Sequence, residues 1–187
     1  MNTKTKKLST VSMVLCGMFA ALVAIGAFIQ IPVPYMDYFT LQFFFVLLAG
    51  LILGADKGAI SVGCYVLLGL VGVPIFAAGG GIGYIFRPSF GYLVGFIVSA
   101  YVTGKVCEKL KESYKNYLLA CLAGFVVTYA IGIVYKFIIL NFYAHTPATL
   151  GVIFLSCFPL DMPGDFVLCL LAAGVGLRMR KSGFYLS

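Results

Sequence analysis

Charge is what this sequence has least of. Of its 187 residues only 10% are Asp, Glu, Lys or Arg, against about a quarter in an ordinary soluble domain. So sparse a set cannot cover a water-exposed surface. Histidine is nearly absent too: His145 is the one copy, which leaves no H-E-x-x-H pair for zinc, and no nucleophile stands beside an evident base. The six cysteines (Cys16, Cys64, Cys107, Cys121, Cys157 and Cys169) include no C-x-x-C pair. Most sit inside apolar runs, where cysteine behaves as a small hydrophobe, so neither a disulfide framework nor a metal site is expected. The glycine run GGGIG at 79–83 is followed by no G-K-[ST] and is not a P-loop.

What fills the space is apolar. The chain is 62% hydrophobic with a mean hydropathy of +1.07, and lipid is the natural solvent for it. At about 20 residues per span, roughly six helices fit. The expected architecture is an all-α, multi-pass protein of the cell membrane forming a single membrane domain over residues 1–187. Its helices are expected over about 9–29, 40–53, 59–73, 90–106, 117–140 and 162–177. Lys4, Lys6 and Lys7 precede the apolar stretch Leu8 to Ile31, which resembles a signal peptide. The stretch is too long and carries no A-x-A site, so a retained first helix is expected. Pro32 and Pro34 end it. The second and third helices, joined by GADKG at 54–58, are short for full spans, and because they come as a pair they do not change the side on which later helices begin.

The net charge of +7 does not point to nucleic acid, since the basic residues stand in groups at the ends of apolar runs. With both termini cytoplasmic, eleven of the thirteen Lys and Arg residues fall on the inner side: Lys4, Lys6, Lys7, Lys57, Lys105, Lys109, Lys111, Lys115, Arg178, Arg180 and Lys181. That is the positive-inside pattern. The outer side holds Asp37, Asp161, Asp165 and His145.

Arg87, before the fourth helix, and Lys136, in the outer part of the fifth, break the pattern. An unpaired charge in or near hydrocarbon costs several kcal/mol or more and is by default a functional candidate. With Asp37, Asp161 and Asp165 they share one side with loops carrying Tyr35, Tyr38, Phe76, Tyr84 and Phe86. Aromatic walls with a few fixed polar groups make up a small-molecule site. A cation there suits a ligand carboxylate, and a carboxylate suits an N–H donor. Small-residue stripes occur on the first helix (Gly17 with Ala21, Ala20 with Ala24) and on the fourth (Gly91, Gly95, Ser99, Thr103), where backbones can approach closely. Packing within the chain accounts for the second stripe; the first is a candidate docking face.

From Tyr35 to Gly104 the chain resembles the BioY family, the biotin-specific substrate-binding (S) components of energy-coupling factor transporters. The resemblance rests on TLQFFFVLLAGLILG, YVLLGLVGVPIFAAGGGIG, the P-x-x-G-Y-L-x-G-F pattern at 88–96, and PGD at 163–165, in that order and spacing. It implies a six-helix protein that binds biotin from outside with high affinity, has no ATPase activity or cofactor of its own, and works with a transmembrane scaffold subunit and two ATPase subunits. The scaffold would dock on Ala20 and Ala24. Asp165 would accept from the ureido N–H groups, and Arg87 or Lys136 would pair with the carboxylate. Tyr35, Gln42, Tyr84 and Asp161 complete the candidate site. Family members often carry a lysine a few residues after the aspartate; here the stretch is DFVLC, with Leu168 in its place, so the carboxylate partner stays open.

Two other classes compete. A secondary transporter of another small carboxylate vitamin, acting alone, should show inverted repeats and ionisable residues near the midplane; no clear repeat is seen. An intramembrane aspartyl protease needs a second aspartate within another span, and none of the first five helices carries one in its interior.

Overall fold

In the computed structural model of the chain, the residues described are 9–31, 39–144, 146, 148–157 and 161–185. They fold as a helical bundle of α1 (Thr10–Phe28), α2 (Gln42–Leu53), α3 (Ala55–Leu70), α4 (Phe90–Lys109), α5 (Tyr114–Ile138), α6 (Leu150–Cys157) and α7 (Asp161–Lys181). A 3₁₀ turn, Ile82–Phe86, precedes α4, and a π-helical turn, Ile139–Tyr143, prolongs α5. Four segments are long and apolar enough to cross a membrane: Thr10–Phe28, Phe90–Lys109, Tyr114–Tyr143 and Asp161–Lys181. A two-residue antiparallel ladder, Gln30–Ile31 with Phe39–Thr40, joins α1 to α2. Lys4, Lys6, Lys7, Tyr35, Asp37, Tyr38 and His145 lie outside the described residues.

α2 is the axis of the bundle. Its sequence QFFFVLLAGLIL is apolar all round, and ten of its twelve residues are buried, as expected of a helix with no solvent-facing stripe. It packs against α1, α3, α4 and α7. Close approach is licensed by small residues: a Cβ on Gly50 would stand 2.5 Å from the carbonyl oxygen of Ala100 on α4, and one on Gly176 of α7 would stand 2.6 Å from the Leu51 side chain. α2 and α3 are joined by Gly54 alone, at φ +81°, a left-handed conformation that glycine adopts without a Cβ penalty. Glu108 of α4 clamps the turn by accepting from the Ala55 N–H at 2.9 Å.

The stripe on α4 is spent inside the molecule. Gly91 lies under the Tyr135 ring, a Cβ on Gly95 would come to 3.0 Å from the Thr128 carbonyl oxygen, and Ser99 and Thr103 face Gly124 of α5. α4 and α5 form the most extensive helix pair of the bundle, the arrangement that small residues permit in a solvent without a hydrophobic driving force between helices.

Helix direction sorts the polar groups. Lys57, Lys105, Lys109 and Arg180 gather at the end of the bundle where α3 and α5 begin and α4 and α7 finish; there Arg180 pairs with Glu112 at 3.3 Å. The opposite end, where α2, α4 and α7 begin and α5 finishes, holds the cavity.

Candidate functional site

The cavity encloses about 670 Å³ of empty space, counted with its open mouth. It is bounded by the starts of α2, α4 and α7 and the last turns of α5. Gln42, Tyr84, Lys136, Asp161 and Asp165 of the expected set all line it, together with Phe43, Tyr92 and Tyr129.

Gln42 opens α2 and is held by two neighbours. Its Nε2 donates to the Tyr65 hydroxyl at 2.5 Å, and its Oε1 accepts from the Thr40 hydroxyl at 3.2 Å. Tyr65 is fully buried and passes its own proton to the Ile75 carbonyl at 3.1 Å. The chain Thr40, Gln42, Tyr65, Ile75 therefore ties the cavity floor to the 71–81 connection. That connection is a packed plug: Phe76 is buried against Tyr65 and Tyr84, with ring centroids 5.5 and 4.6 Å away. The Gly81 N–H returns to the Gly69 carbonyl at 2.7 Å. It requires φ +101° at Gly81, where a side chain would be strained.

Asp165, in the second turn of α7, accepts from the Tyr129 hydroxyl of α5 at 2.8 Å. That bond fixes the orientation of the Asp165 side chain, which keeps further capacity to accept hydrogen bonds. The ring of Tyr129 packs at 4.7 Å on Phe125 and 5.8 Å on Tyr92. Lys136, half-buried in the wall, has no ion-pair partner among the described residues. An ammonium in a partly apolar wall can receive an anionic group.

Arg87 stands elsewhere. It is exposed, does not line the cavity, and its guanidinium lies 5.3 Å from the centre of the Tyr84 ring. Leu168 is buried in the core rather than facing the cavity. Of the proposed docking residues, Ala20 is turned into the core at 7% exposure and Ala24 is half-buried, whereas Gly17 and Ala21 are exposed. Tyr35 belongs to the residues not described. Among the described residues no group of three or more His, Cys, Asp or Glu side chains could hold a metal.

Tyr129 is the residue that the sequence reasoning missed. Its signal was present, because Tyr129 precedes Lys136 by seven residues and so shares its helix face. The cavity-lining aromatics Phe43 and Tyr92 carried no such mark; they lie in apolar runs where an aromatic reads as core.

The model of the BioY family matches residues 1–183. A protein of Lysinibacillus sphaericus described as a probable biotin transporter BioY is 40% identical over 177 residues, covering 94% of this chain and 90% of its own length. The biotin transporter BioY of Thermotoga maritima is also 40% identical, over 169 residues, covering 88% and 93%. The crystal structure of an S-component for biotin from an ECF-type ABC transporter superposes with a TM-score of 0.81, covering 100% of both chains at 24% identity, which establishes a shared fold. With a family match across nearly its whole length and relatives of this closeness, the chain belongs to the BioY family.

Proposed function

We propose that this chain is the biotin-binding subunit of an ATP-driven energy-coupling factor transporter, a six-span protein with cytoplasmic termini that takes biotin from the outer side. One observation carries the reading: a single aromatic cavity holds a fixed carboxylate, Asp165, and an ammonium, Lys136, that has no ion-pair partner among the described residues. Biotin presents the complement. Its ureido N–H groups donate to Asp165, its thiophane ring and chain lie along Phe43, Tyr84 and Tyr92, and its carboxylate pairs with Lys136. The names of the relatives support the same ligand. The positive-inside distribution supports an orientation with the basic end of the bundle in the cytoplasm and the cavity mouth outside.

The chain contributes binding and no chemistry of its own. Among the described residues, the two aspartates at the cavity, Asp161 and Asp165, stand on one helix rather than on facing spans. Isothermal titration of the purified chain should give tight 1:1 binding of biotin, with thiamine and riboflavin silent and no ATP hydrolysis. In intact cells, a cysteine at Phe39 in the cavity wall should react with an impermeant maleimide, and biotin should protect it. Labelling only after permeabilisation would reverse the orientation, and absence of biotin binding would remove the function.

The transmembrane scaffold and its two ATPase subunits are the partners this reading requires. The scaffold docks on the small-residue face of α1, where Gly17, Ala21 and Ala24 fall on one side and space is open above Gly17; Ala20 supports that face from beneath. Ala21→Trp should block assembly with the coupling subunits and hold biotin affinity within about twofold, as expected of a site remote from the cavity. Normal assembly and uptake by this variant would take docking away from α1.

A further inference from the structure

Tyr129 and Lys136 are separated by seven residues on one uninterrupted α-helix. Seven residues rise about 10 Å and fall only about 20° short of two full turns. Both side chains therefore enter the same cavity from one helix face, two turns apart. The lower one is bonded to Asp165 at 2.8 Å and fixes the depth of the group that accepts from the ligand ring. The upper one sets the depth of the cation.

Between them α5 offers no alternative donor. Gly132 is buried, and a Cβ built on it would stand 2.5 Å from the Tyr92 ring, so that ring covers the groove between the two polar ends. The Tyr92 hydroxyl is engaged with the Cys157 thiol at 3.1 Å. Tyr135 on the next face gives its proton to the Ile85 carbonyl at 2.6 Å. A ligand carboxylate that stops short of Lys136 meets no other cationic side chain on α5 between the two marks.

We propose that α5 is a ruler: the Tyr129 to Lys136 spacing fixes the distance between the N–H-accepting end of the site and its anion-binding end, so the length of the chain joining ring to carboxylate is itself a determinant of specificity. Tyr129 is a positioning residue acting through Asp165, and Lys136 is the length-determining contact. The inference rests on the biotin reading and adds a constraint that binding of biotin alone does not imply. Because α5 is regular up to Ile138 and loosens into its π-helical turn only from Ile139, the two marks cannot slide relative to each other.

The test is a titration of the purified full chain with biotin and with homologues shortened by one and by two methylenes. Affinity should fall at each step, by at least about tenfold for the homologue two methylenes shorter, the scale of one lost charge-assisted hydrogen bond. Lys136→Met, which keeps the apolar stem, should weaken biotin and bring all three ligands within about threefold of one another. Equal binding of the three by the unmodified chain, or an undiminished length order in Lys136→Met, would overturn the ruler and leave the biotin reading standing. Failure of the unmodified chain to bind biotin would overturn both.

Discussion

Asp165→Ala should weaken biotin binding by at least about tenfold while the purified variant stays folded. The loss has two sources. The ligand ring keeps its N–H donors but loses their acceptor inside a cavity that limits access to water, a penalty of roughly 1 to 3 kcal/mol, and more when the missing partner is charged; about 1.4 kcal/mol corresponds to tenfold. The Tyr129 hydroxyl, which donates to Asp165 at 2.8 Å, is orphaned in the same step. Asp165→Asn should lie between wild type and alanine, because an amide oxygen still accepts but without charge assistance. Titration calorimetry supplies the affinities, and thermal unfolding in detergent separates a binding defect from a folding one. Wild-type affinity in folded Asp165→Ala would remove this carboxylate from ligand recognition.

The second large effect is a discrimination rather than a loss. Lys136→Ala should weaken biotin by at least about tenfold, the scale of a lost charge-assisted contact, but should change biotin amide, which has no full carboxylate, by much less. Arg87→Ala should treat the two ligands alike, because Arg87 is exposed and does not line the cavity. Competition binding of both ligands to the three proteins decides the matter. If Arg87→Ala alone separates acid from amide, the cation in the wall is not the anion receptor, and if neither variant does, the carboxylate is held by backbone donors or water.

Much of the scaffold could be read from the chain because membrane helices announce themselves locally, by apolar runs ended at GADKG or by basic groups. The small-residue stripe on α4 was also legible, and its face meets α5 through Gly91 and Gly95. α6 escaped notice: its eight residues form an apolar run too short to separate from a loop by periodicity. At the site, unexplained charge found Lys136 and Asp165, since an ion in an apolar chain stands out against its surroundings. Sequence could not rank Arg87 against Lys136, because the difference lies in which way each side chain faces. Nor could it find the bond from Tyr129 to Asp165, which joins residues 36 positions apart and exists only once α5 and α7 have packed.

The twelve residues of α2 are too few to cross a bilayer. At 1.5 Å per residue they reach about 18 Å, whereas the hydrocarbon layer is about 30 Å thick. One end of this rod is pinned by Glu108 at the Gly54 turn, among the basic groups; the other carries Gln42 into the cavity. In the proposed orientation the bottom of the binding well therefore lies well below the outer surface of the membrane, and the protein beneath it is a septum little thicker than half the bilayer. On the proposed reading, a ligand seated there has passed somewhat less than half of the hydrocarbon layer before any ATP is hydrolysed. On the proposed reading, what the coupling subunits must open is the longer remainder, and its thickness is set by the length of one buried helix.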